Sequence, residues 1–115
     1  MNVIQIGDII HRLDIGDQVI INDWEYPFTV LATSEHFVVL YHRSTDEYSI
    51  ISKTLSEHSY NSVRAGTYYC GPDNFIFSLF SPAEVAAYLS RLEDPNDTLE
   101  ISHKRRATID KIVVQ

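Results

Sequence analysis

The stretch that decides the fold runs from Asp17 to Ile51, DQVIINDWEYPFTVLATSEHFVVLYHRSTDEYSII. Short β-branched and aromatic runs alternate in it with clusters of turn-forming residues, the pattern of consecutive strands. Asp17-Gln18-Val19-Ile20-Ile21 reads as a first strand and Asn22-Asp23 as a turn. In the next run Trp24, Tyr26, Phe28, Val30 and Ala32 share one side, and Glu25, Pro27, Thr29 and Leu31 the other. Such alternation predicts a half-buried strand, with Pro27, which has no N–H for a ladder, at an edge or a bulge. Thr33-Ser34-Glu35 is a turn, His36 to His42 a strand, Ser44-Thr45-Asp46-Glu47 a turn and Tyr48 to Ile51 a further strand. Regularly spaced short strands of this kind predict an antiparallel meander curled into a small SH3-like barrel or roll-type sheet.

Upstream, Val3, Ile6, Ile10 and Leu13 fall three or four apart, so residues 2–13 predict a short amphipathic helix, weakened by Gly7. Downstream, residues 52–66 are polar and aperiodic, a long loop of the kind that is often functional. Thr67 to Cys70 reads as a strand, Gly71-Pro72-Asp73-Asn74 as a turn, and the apolar Phe75-Ile76-Phe77 follows. Ser81-Pro82-Ala83-Glu84 is a capping box with proline in the first helical position. Val85, Tyr88, Leu89 and Leu92 mark one helical face and Pro95 ends it, so a helix spans about 82–93. Thr98 to Ser102 and Thr108 to Val114 read as two more strands, the last returning to the sheet. The expected architecture is α+β, one domain over residues 1–115.

The composition agrees with one folded domain: 115 residues, 44% hydrophobic and 22% charged. No run approaches the ~18 apolar residues of a membrane span. The first residues lack the basic start and cleavage site of a signal peptide, and the single Cys70 allows no internal disulfide. The expectation is therefore a cytoplasmic protein with no membrane partner.

The formal net charge is −7. Residues 1–90 carry all of this excess, while residues 91–115 are neutral and hold the basic tripeptide Lys104-Arg105-Arg106. A net acidic chain is a poor generic ligand for nucleic acid, which needs clustered Lys and Arg. Its acids instead mark a candidate protein-binding surface: Asp23, Glu25, Glu35, Asp46, Glu47 and Glu57. The alternative is a small nucleic-acid-binding module that uses Lys104, Arg105 and Arg106 with the aromatic strand as a stacking platform.

Catalytic and cofactor signatures are sparse. The histidines at 11, 36, 42, 58 and 103 include no pair three to five apart, and there is no second cysteine, so neither a zinc site nor any cofactor is expected. Cys70 with His58 and Asp73 would be the material of a thiol nucleophile, but Cys70 ends an aromatic strand and reads as a small buried hydrophobe. The chain is read as a non-enzyme. A homodimer through an edge strand near Pro27 or Val113-Val114 is an open alternative.

Several fragments together carry a resemblance: Gly16-Asp17-Gln18-Val19 leading into Trp24-Glu25-Tyr26-Pro27-Phe28, Tyr48 to Lys53, Cys70-Gly71-Pro72-Asp73-Asn74, and Ile101-Ser102-His103-Lys104-Arg105-Arg106. Over residues 15–112 the set resembles small uncharacterised accessory proteins of phages and other mobile elements of Gram-positive bacteria. That resemblance brings no catalytic residues. It implies action in a bacterial host cell by binding a host protein, as anti-CRISPR inhibitors do when they occupy the nucleic-acid channel of a basic nuclease such as a type II CRISPR effector.

Overall fold

The computed structural model describes residues 3–53, 75–93 and 106–115. Helix α1 (Val3–His11) leads into strands β1 (Gln18–Ile21), β2 (Phe28–Thr33), β3 (Phe37–His42) and β4 (Glu47–Ser52). After these come β5 (Phe75–Leu79), helix α2 (Pro82–Glu93), β6 (Arg106–Ala107) and β7 (Ile112–Val114). All strands join one antiparallel sheet in the order β6-β5-β4-β3-β2-β1-β7. The α+β class and the meander expected from the sequence are both present.

This order requires the sheet to curl. β6 and β7 lie at opposite edges, yet only residues 108–111 separate them in the chain. Five residue steps reach at most roughly 18 Å. Seven flat strands at about 4.8 Å spacing would hold the edges roughly 29 Å apart. The sheet therefore bends into a half-barrel, with its edges closer than in a flat sheet but not paired.

The two faces of the curl hold two cores. Inside it pack Val19, Ile21, Phe28, Val30, Val38, Leu40, Ile51 and Phe75, with Ile6, Ile10 and Leu13 from α1 and its exit, and Ile109 and Ile112 from the last segment. On the convex side α2 sets Val85, Tyr88 and Leu89 against Phe37, Val39, Ile50, Ile76 and Leu79. Strands β3 and β4 thus have apolar residues on both faces, which is why Phe37–Leu40 is an uninterrupted hydrophobic run. Ser49 interrupts this pattern: it is fully buried, and among the described residues its Oγ has no hydrogen-bond partner.

α2 has the bounds that its sequence signals predict. The Ser81 hydroxyl accepts from the Glu84 N–H at 3.1 Å, and the Glu84 carboxylate reaches back to the N–H of Phe80 at 3.0 Å. One donor of the first helical turn and the N–H just before the cap are satisfied in this way.

Several expectations need correction. Trp24 to Ala32 is not one strand, because β2 starts only at Phe28. Asn22 and Asp23 sit in the left-handed region (φ 53 and 57) and turn the chain, the Trp24 N–H donating to the Ile21 carbonyl at 2.9 Å. Pro27 cannot donate to a ladder, so pairing begins after it. It precedes an interior strand of the sheet, not an edge. Ala32 also changes sides, because Leu31 is the extra residue of a bulge between the Val30–Leu40 and Ala32–Val39 pairs. The run Thr108 to Val114 is likewise not one strand: residues 108–111 form a corner between β6 and β7. β4 continues through Ser52, shortening the expected loop 52–66 at its start. The rest of that loop and the expected strands Thr67–Cys70 and Thr98–Ser102 lie outside the described residues.

Candidate functional site: an aromatic and acidic barrel end

Chain direction sorts the turns between two ends of the barrel. β1 and β3 run toward the loop Asn22–Pro27 and the turn Arg43–Asp46, and the corner Thr108–Lys111 joins them through the pairing of Ile21 with Ile112. The turn Ser34–His36 is at the other end.

Asn22 holds the first end together. Its side-chain amide donates to the Thr108 carbonyl at 2.7 Å, and its Oδ1 accepts from the N–H groups of Asp110 (2.6 Å) and Lys111 (3.1 Å). The Asn22 N–H donates to the Lys111 carbonyl at 2.9 Å. One residue thereby ties the β1–β2 loop to the corner that joins the sheet's edges. Asn tolerates the left-handed backbone needed here better than most residues do. The neighbouring Asp23 carboxylate pairs with Lys111 Nζ at 3.1 Å, an exposed ion pair of small energetic weight.

Trp24 then folds across the open side of the barrel. Its ring centroid lies 6.1 Å from Phe28, 6.0 Å from Phe75 and 6.2 Å from Phe77, so a side chain of the β1–β2 loop touches β5. Phe28 meets His42 at 4.8 Å, and Tyr26 meets the same imidazole edge-on at 6.0 Å. Tilted and edge-on ring pairs at these separations are favourable beyond the area they bury. Trp24 is 36% and Tyr26 51% exposed. The aromatic residues thus form a continuous patch that begins in the core and ends at the surface.

The turn from β3 to β4 completes this end. His42 Nδ1 lies 2.8 Å from the Thr45 hydroxyl and 3.2 Å from that of Ser44. The Tyr41 hydroxyl donates to Asp46 Oδ1 at 2.7 Å, and the Ser78 hydroxyl to Glu47 Oε2 at 3.0 Å. The bond to the Asp46 carboxylate, with smaller help from desolvation and from the charge of Asp46, raises the Tyr41 phenol above its ordinary value. Beside this turn Gln18, Tyr26, Pro27, Thr29, Arg43 and Ser44 line an open cleft of about 510 Å³.

Of the predicted acidic surface, Asp23, Glu25, Asp46 and Glu47 fall at the Trp24 end of the barrel, as does Asp110. Three of the four already have partners: Asp23 on Lys111, Asp46 on Tyr41 and Glu47 on Ser78. Glu35 lies at the opposite end beside His36, at 3.8 Å. Glu57, Cys70, His58, Asp73, Lys104 and Arg105 lie outside the described residues, and Arg106 opens the edge strand β6. Sequence reasoning missed Asn22, Lys111, Phe77 and His42 as parts of this end. The turn-forming Asn22-Asp23 and the aromatic run from Trp24 to Phe28 were the local signals, while the bonds of Asn22 span 86 or more positions and the contact of Trp24 with Phe77 crosses from the β1–β2 loop to β5. Among the described residues no group of three or more His, Cys, Asp and Glu side chains is placed to hold a metal. Among them also no helix is long and apolar enough to cross a membrane. Set beside models of protein families, curated proteins and solved structures, the chain matches none of them.

Proposed function

We propose that this is a non-enzymatic protein-binding domain that docks its Trp24 end on a basic surface of another protein. The observation that carries the reading is that the exposed pair Trp24 and Tyr26 lies at the same barrel end as Asp23, Glu25, Asp46, Glu47 and Asp110. The three segments that build this end hold four of these carboxylates, with Glu47 next to them at the start of β4, against two cations, Arg43 and Lys111. Aromatic anchors in an acidic surround suit arginine and lysine side chains, which stack on ring faces and pair with carboxylates. Such a surface is steered toward positive charge, faster at low salt.

The partner fits the chemistry of a nucleic-acid-handling enzyme, whose channel is basic by necessity. With the resemblance to mobile-element accessory proteins, this extends to an inhibitor of a host defence nuclease of the anti-CRISPR type, acting in the bacterial cytoplasm. The SH3-like reading of the barrel belongs to the same proposal, with one barrel end serving as the docking surface.

The experiment is a binding titration against a purified type II CRISPR effector at two salt concentrations, using the wild type, Tyr26→Ala and the double variant Glu25→Lys/Asp46→Lys. Binding that weakens with salt and drops tenfold or more in the charge-reversed variant is expected, roughly 1.4 kcal/mol or more. Binding indifferent to both changes would remove the Trp24 end from the interface. No binding at low salt would remove the nuclease.

A further inference from the structure

The last strand, β7, pairs on one side with β1 and, among the described residues, with nothing on the other. Its hydrogen-bond parity follows from two main-chain bonds. Asn22 N–H donates to the Lys111 carbonyl, and Gln115 N–H to the Gln18 carbonyl. The pairs 22–111 and 18–115 are therefore hydrogen-bonded pairs, and 20–113 between them is a third, since such pairs recur every two residues in an antiparallel ladder. Lys111, Val113 and Gln115 thus turn their main-chain groups toward β1. Ile112 and Val114 turn theirs away, toward the free edge.

We infer that this edge pairs with the same edge of a second copy of the chain. An antiparallel match centred on Val113 sets Ile112 of each copy opposite Val114 of the other. Both positions are outward-facing, so each such pair exchanges two N–H···O bonds, four in total, around a two-fold axis through the Val113 pair. The edge is self-complementary, as a closed two-fold dimer requires.

The side chains agree with this. β7 carries no charge and no proline, which are the devices that commonly blunt an edge, and Val113 and Val114 are 44% and 45% exposed. On the outer face Val113 lies beside the half-buried Ile20 of β1, so pairing would cover apolar surface as well. The opposite edge, β6, has only two residues, too few for a self-paired ladder. The shortness of β7 makes this a weak dimer, one that forms at high protein concentration. The inference is independent of the docking proposed for the Trp24 end.

The parity sets the test. Proline at 114 removes a donor that points outward, whereas proline at 113 removes one that β1 uses. Sedimentation of the intact chain from roughly 1 µM to 1 mM should show a monomer–dimer equilibrium. Val114→Pro should remain folded by circular dichroism and stay monomeric throughout, while Val113→Pro should lose thermal stability. A second probe is Val113→Cys in a Cys70→Ser background. The central, non-hydrogen-bonded pair would have its Cα atoms about 4.5 Å apart, within disulfide reach, so air oxidation should yield a covalent dimer. A wild type that stays monomeric at the highest concentration, a folded Val114→Pro that dimerises like the wild type, or no crosslink in the Val113→Cys variant would each overturn the inference.

Discussion

Replacing Asn22 by alanine tests the strut at the Trp24 end. The change removes three side-chain hydrogen bonds, to the Thr108 carbonyl and from the N–H groups of Asp110 and Lys111. A typical net contribution is about 0.5–1.5 kcal/mol per bond, and the exposure of this site favours the lower half of that range. Alanine must also hold φ near 53, where a Cβ is disfavoured by about 1 kcal/mol. Together the loss should be about 2–4 kcal/mol. The assay is urea unfolding followed by the fluorescence of Trp24, the chain's single tryptophan and a neighbour of the altered residue. The midpoint should fall with little change in slope. Asn22→Gly, indifferent to the sign of φ, should be milder than Asn22→Ala. A loss below about 0.5 kcal/mol for Asn22→Ala, the level of an ordinary surface substitution, would refute the strut.

The ion pair beside it is a contrast: Asp23→Asn, which also suits a left-handed backbone, should shift the midpoint by less than about 0.5 kcal/mol in the same assay. Ser49→Ala deletes a buried hydroxyl that has no partner among the described residues and should leave stability unchanged or raise it by up to about 1 kcal/mol, read by calorimetry. Ser81→Ala removes the cap of α2 and should cost about 1 kcal/mol. In an ultraviolet titration Tyr41 should ionise above the ordinary tyrosine value of 10.0, and Asp46→Ala should bring it back. The sign follows from the raised folded value: the stabilisation is complete below the unfolded value and is lost as pH rises through the folded one.

How far the fold was legible depends on the range of the contacts involved. α2 was readable to its end residues because Ser81, Pro82 and Glu84 act within one turn. α1 followed from the spacing of Ile6, Ile10 and Leu13, which the barrel buries. The strands of the meander were visible because their periods and turns are local. Trp24 misled for the same reason. Its place in an alternating run suggested a strand, whereas its position is set by rings at 75 and 77. The break within Thr108–Val114 was equally hidden, since the corner there is held by a residue of the first hairpin. The acidic residues could be counted in the sequence, but their division between two barrel ends depends on strand direction.

The pairing of β1 with β7 bears on how the chain reaches this structure. Val19 and Val114 meet across nearly the whole length of the protein, and the bonds of Asn22 close a loop of 86 positions. Contacts of such sequence separation incur loop-closure entropy before they return any energy, so they form after the local ones. The meander of hairpins can assemble first from neighbours in the chain. At that stage the outer edge of β1 is still bare, and Trp24 meets Phe28 but not yet the rings of β5. A ribosome-bound chain would pass through this stage with its sheet open, and the final segment would then close it like a clasp. Substitutions in β7 should therefore speed unfolding more than they slow folding, a kinetic signature of the element that arrives last.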